Sequence, residues 1–172
     1  RGGTIAVQLA AVMPEVVEKL VLLDAMFFHH KTVSYVEQMR QYILDRKRYT
    51  ARTPLLLPDT KTALEQRLKV TDLSEDEALA LVRRNLKPMS GGGYCWSYDY
   101  RLRGASAVKL LSVYIDSILA SLKTPTLMIA ARQGSYAQEE LVEPIAHLAT
   151  HECINLVIHS GGHHLHICLL YT

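Results

Sequence analysis

The stretch Arg1-Gly2-Gly3-Thr4-Ile5-Ala6-Val7-Gln8-Leu9-Ala10-Ala11-Val12-Met13-Pro14-Glu15-Val16-Val17-Glu18-Lys19-Leu20-Val21-Leu22-Leu23-Asp24 decides the fold. A glycine pair leads a run of small and aliphatic residues, as suits a tight turn into a helix. Ile5, Leu9 and Val12 recur at helical spacing, and Ala6 and Ala10 allow close packing. Pro14 sits in the turn that ends the helix. Leu20 to Leu23 is an unbroken apolar run, as expected of a strand buried on both faces of a parallel sheet. Asp24 stops it, at the strand end where open α/β sheets present functional side chains. Together these residues form one helix-to-strand unit of an α/β fold.

Beyond Asp24 the α/β rhythm is interrupted. Val33, Val36, Met39, Tyr42 and Ile43 mark an amphipathic helix. Thr53-Pro54 and Leu57-Pro58 break the chain, and Thr62 to Val70 reads as a second helix. Ser74-Glu75-Asp76-Glu77 is a capping box ahead of a third helix, expected to end at Lys87-Pro88. No strand is expected among these helices, and Gly91-Gly92-Gly93 reads as a flexible return. They form a helical cap inserted after one strand of the sheet.

The α/β pattern then resumes. Tyr94 to Tyr100 is short, aromatic and β-prone. Leu110 to Leu122 is a helix with Leu111, Tyr114, Ile115, Ile118 and Leu119 as its stripe. Thr126 to Ala131 is a second buried strand, Glu139 to Ala149 a helix, and Ile154 to Ile158 a third strand. The domain plan is core at 1–26, cap at 27–93 and core again at 94–167.

Composition narrows the partners. At 172 residues the chain can bury a real core, and its net charge of +2 argues against nucleic acid or an anionic membrane surface. No signal-peptide pattern is present, and no apolar run reaches membrane-spanning length. The expectation is a cytoplasmic protein that acts on a small molecule. Cys95, Cys153 and Cys168 are widely spaced, with no C-x-x-C pair, which suggests packing rather than disulfides or zinc.

The strongest chemical signal is Gly161-Gly162-His163-His164-Leu165-His166, directly after a predicted strand. A histidine held over a sheet edge can accept and return a proton near neutral pH. Adjacent histidines in a turn rarely converge on one ion, and no acid or cysteine stands at a familiar ligand spacing, so no metal is expected. No cofactor is expected either.

In this order the segments R-G-G-T-I-A-V-Q-L-A, V-E-K-L-V-L-L-D, W-S-Y-D-Y-R-L-R-G-A-S, L-K-T-P-T-L-M-I-A-A-R-Q-G and G-G-H-H-L-H resemble the serine hydrolase-like branch of the α/β-hydrolase superfamily. They are similar to valacyclovir hydrolase-type and haloalkane dehalogenase-type enzymes. The resemblance implies the C-terminal part of an α/β-hydrolase fold: three parallel strands, flanking helices and an inserted cap. Gly2 matches the last glycine of a G-x-S-x-G nucleophile elbow, which puts the nucleophile one position ahead of Arg1. The backbone N–H of Arg1 then matches an oxyanion-hole donor. His163 matches the general base, and His164 and His166 match flanking positions.

The superfamily usually sets its acid in the turn after the strand Thr126 to Ala131, but here Gln133 stands near that place. Two other carboxylates are candidates. Asp24 ends a strand beside the nucleophile's own, and Asp99 lies in the return from the cap with Arg101 nearby. Geometry favours Asp24. Trp96, Tyr94 and Tyr98, and Phe27 and Phe28 at the cap entry, are candidates to line a substrate pocket.

The implied activity is cleavage of a small ester, amide or related bond by a nucleophile–histidine–acid mechanism, with the chain alone inactive. The alternatives are an Asp nucleophile, as in dehalogenases and epoxide hydrolases, or a non-catalytic binding protein, which Gln133 would favour. A third is a doubly wound fold unrelated to hydrolases, with His163 far from the start of the chain. The closing string Cys168-Leu169-Leu170-Tyr171-Thr172 is similar to one translated frame of a transposase adaptor used in sequencing libraries, so 168–172 is expected to be a non-native tail.

Overall fold

The computed structural model describes residues 2–25, 34–134 and 148–170, with side chains as far as Ile167. In chain order its elements are α1 (Gly2–Val12), β1 (Leu20–Leu23), α2 (Tyr35–Thr50), α3 (Thr60–Leu68), α4 (Glu75–Asn85), β2 (Leu86–Pro88), β3 (Tyr94–Trp96), α5 (Ser112–Ser121), β4 (Thr126–Gln133), β5 (Ile154–Gly162) and α6 (Leu165–Leu170). Two compact units result: Arg1–Thr32 with Leu110–Thr172, and Val33–Lys109.

The first unit is built on a three-stranded parallel sheet in the order β1-β4-β5. Its register aligns Leu20 with Thr126 and Ile154, and Leu22 with Met128 and Leu156. Leu20, Leu22, Met128, Ala130 and Ile154 form a core with Val7 and Ala10 of α1 and Ile115 and Leu119 of α5. Burying each large side chain there contributes about 1.5–3 kcal/mol. The buried Thr126 hydroxyl donates to the Thr124 carbonyl at 2.8 Å.

Three burial expectations are corrected in this unit. In α1, Val7 and Ala10 face the core, while Ile5 and Val12 are 65% and 75% exposed. The helix is apolar nearly all round, so spacing alone cannot choose a face. Small residues on the inner side let α1 approach the sheet closely. In β1 only Leu20 and Leu22 are buried, and Val21 is 59% exposed, so among the described residues the strand is covered on one face. The α5 stripe narrows in the same way, with Leu111 and Tyr114 exposed.

The second unit packs α3 and α4 around Leu57, Ala63, Leu64, Ala78 and Val82. Ser74 and Glu77 form the capping box read from the sequence, each side chain bonding the other's backbone N–H. Asp59 caps α3 by accepting from the Thr62 N–H at 2.7 Å.

The return from the helices is ordered pairing rather than a loose linker. α4 ends at Asn85, and Leu86–Pro88 pairs antiparallel with Tyr94–Trp96 around the glycine triplet. A strand therefore does occur in this region. Tyr94 and Trp96 pack on the helical core. Further on, Asp45 of α2 accepts from the Ala105 N–H at 2.8 Å, and the Gln38 amide donates to the Ser106 carbonyl. These bonds hold the return inside the helical unit. Its boundary falls at Lys109 rather than at Gly93, where the sequence plan drew it.

Candidate active site

Asp24 follows β1 in a left-handed conformation, with φ of 45°. Non-glycine residues visit that region at a cost, aspartate less than most, and such strain persists only where the surroundings fix it. Here they do. The Asp24 N–H donates to the Ile129 carbonyl at 2.8 Å, and the Ala131 N–H donates to Oδ1 at 3.0 Å. The carboxylate is buried, with the residue only 1% exposed. Its remaining oxygen, Oδ2, lies 2.6 Å from Nδ1 of His163. An ionised carboxylate can only accept, so Nδ1 carries the proton in that state and Nε2 is left to act as a base.

His163 reaches Asp24 because β5 runs parallel to β4 and ends beside it. The ladder is regular from Thr126–Ile154 to Ala131–His159, and its register then shifts, pairing Gln133 with Gly162. The imidazole follows directly and keeps about half its surface open, at 54%. Its ring lies 5.2 Å from that of His164, which in turn lies 5.7 Å from His166. The rings meet tilted or edge-on, at interplanar angles of 59° and 71°. Among the described residues no group of three His, Cys, Asp or Glu side chains is arranged to hold a metal.

The start of α1 lies at the same end of the sheet. A Cβ built on Gly3 would sit 2.6 Å from the carbonyl oxygen of Ala25, the residue after Asp24. The first turn of α1 thus rests against the segment that carries the buried carboxylate. The reading in which His163 lies far from the chain start does not hold.

The turn after β4 closes over the acid. At Gly134 a Cβ would fall 2.5 Å from Asp24 Oδ2, so only glycine fits without displacing the carboxylate. The imidazole bonds Asp24 rather than Gln133. Its Oε1 accepts from the Gly161 N–H at 2.7 Å.

The other sequence candidates lie elsewhere. Asp99 belongs to the second unit, exposed and paired with Arg101. Both its oxygens accept from the Arg101 side chain and one also from the Arg101 N–H, which hold its carboxyl down at about 2. Trp96 is in that unit too, its ring 6.1 Å from Tyr98 and lining a cleft of about 380 Å³ with Tyr49, Arg52 and Tyr100. Arg1, Phe27 and Phe28 lie outside the described residues. Cys95 is buried in the second unit. Cys153 donates its thiol to the Leu122 carbonyl, and burial pushes that thiol's pKa up.

Comparison with known proteins agrees with this architecture. No family model matches the chain. A serine hydrolase-like protein of Danio rerio is 26% identical over 178 residues, covering 96% of this chain and 53% of that protein. The crystal structure of a hypothetical protein from Pseudomonas aeruginosa superposes with a TM-score of 0.81 at 24% identity, over 96% of this chain and 58% of that one. The thioesterase domain from the curacin biosynthetic pathway superposes with a TM-score of 0.72 at 25% identity, over 96% and 57% of the two chains. The chain spans about half the length of these relatives. Its parallel sheet, helical insertion and strand order are those of the α/β-hydrolase fold.

Proposed function

We propose that this chain supplies the general base and the orienting acid of a hydrolase that cleaves ester-type bonds in small molecules. The observation that supports this most directly is the 2.6 Å bond between buried Asp24 and half-open His163, at the sheet end against which α1 begins. A hydroxyl on the turn ahead of α1 gives its proton to Nε2 of His163 as its oxygen attacks the substrate carbonyl. The imidazolium is held by Asp24 through Nδ1 and returns the proton to the leaving alcohol as the acyl C–O bond breaks. Water then attacks the acyl group, again with His163 as base, and restores the nucleophile. Two of the relatives, a serine hydrolase-like protein and a thioesterase domain, support serine and an acyl substrate by their names.

Gln133 was the feature that favoured a non-catalytic binding protein. With its amide bonded to Gly161 and Asp24 bonded to His163, it no longer does so. An Asp nucleophile remains the second reading, since the same dyad can serve it by activating water in the second step.

The test is to express the chain joined to the upstream half that its relatives carry and to assay p-nitrophenyl esters. The His163→Ala variant is expected to lose about 10⁴-fold or more in kcat. Undiminished turnover would remove the assignment. The 172-residue chain alone is expected to show no turnover.

A further inference from the structure

The β4–β5 ladder loses its register where the histidine loop begins, between Ala131 and Gln133. Regular pairing there would have fixed the loop by backbone bonds alone. A side chain takes over. Gln133 Oε1 accepts from the N–H of Gly161, two residues ahead of His163, at 2.7 Å. The next residue, Gly134, packs against the Asp24 carboxylate. One short turn therefore touches both partners of the dyad: the acid through Gly134, and the loop carrying the base through Gln133.

From this arrangement we infer that Gln133 is a positioning residue, whose amide oxygen sets the His163 loop so that Nδ1 meets Asp24. It contacts no reacting atom and acts through the Gly161 backbone. The residue type fits the task. The glutamine stem is long enough to cross from β4 to the start of the loop, and its neutral oxygen accepts the N–H without placing a second negative charge beside Asp24. The bond is solvent-exposed, so its effect is that of one ordinary hydrogen bond. The inference rests on reading Asp24 and His163 as a catalytic pair.

The experiment is ¹⁵N NMR of the His163 imidazole in the full 172-residue chain, at a pH where the ring is neutral. In the unaltered chain the Nδ1–H tautomer is expected to dominate, because Asp24 accepts from it. In Gln133→Met the ratio of Nδ1–H to Nε2–H is expected to fall about two- to tenfold, the size of one lost hydrogen bond. Gln133→Asn keeps the amide but is too short to reach Gly161, and should fall by the same amount. A tautomer ratio unmoved in both Gln133→Met and Gln133→Asn would overturn the inference, even if either variant were less stable. An unaltered chain already in the Nε2–H form would instead remove the Asp24–His163 pairing itself, which separates the two failures.

Discussion

Two aspartates near Arg or His partners meet opposite fates in this molecule. Asp24 is assembled from distance: its partners are Ala131 and His163, 107 and 139 residues away. Asp99 is assembled locally, by Arg101 two residues on. Asp24 is buried and strained, and Asp99 is exposed and relaxed. A local pair can form in a peptide and carries little energy in water. A long-range pair exists only when the sheet has formed, so its geometry is as precise as the sheet. That contrast is why the first suits the catalytic role proposed for it, while the second caps a 3-10 turn, Tyr100–Arg103.

The largest difference between the two should appear in turnover. In the extended protein Asp24→Asn is expected to lower kcat by about 10³–10⁴-fold, because an amide cannot stabilise the imidazolium. Asp99→Asn should leave kcat unchanged. Equal losses at the two sites would erase the comparison.

Stability comes next. Asp24→Ala leaves the Ala131 N–H buried without its acceptor and puts alanine at a φ of 45°, which together should cost about 2–5 kcal/mol by urea denaturation. Asp24→Asn keeps an acceptor and tolerates the backbone, so it should cost markedly less. Gly134→Ala should destabilise by about 1–3 kcal/mol, because its methyl group must displace Ala131 or the Asp24 carboxylate.

The smallest effect is a titration. The Asp99 carboxyl is held below its ordinary value of 3.8, at about 2, by its bonds from Arg101. A depressed carboxylate contributes above its unfolded pKa and loses that contribution as pH falls through the folded one. The Asp99 signal of the folded chain should therefore titrate with its midpoint at about pH 2, and Arg101→Ala should return it toward 3.8.

Much of the core was legible because parallel strands and their helices announce themselves locally. Leu20–Leu23, Thr126–Ala131 and Ile154–Ile158 are apolar runs of strand length, and each is a strand. His163 was legible because a glycine pair preceded it. The sequence could rank Asp24 above Asp99 only by where strands end, since the deciding contacts span most of the chain. Burial was less readable. Apolar residues surround α1, and the choice of Val7 and Ala10 for the core depends on what the sheet offers. The β2–β3 hairpin was hidden by Pro88 and the glycine triplet, which look like breaks yet serve as the end of an edge strand and its turn. The helix expected over Glu139 to Ala149 falls largely outside the described residues.

The left-handed backbone at Asp24 also bears on how such a protein can change over generations. Glycine and asparagine settle into that conformation most readily, and each is one base away from an aspartate codon. Asparagine, which keeps an acceptor for the Ala131 N–H, would spare the architecture, whereas glycine would leave that donor unmet. A single base change to asparagine can therefore remove the carboxylate beside His163 while leaving the sheet and its turn in place.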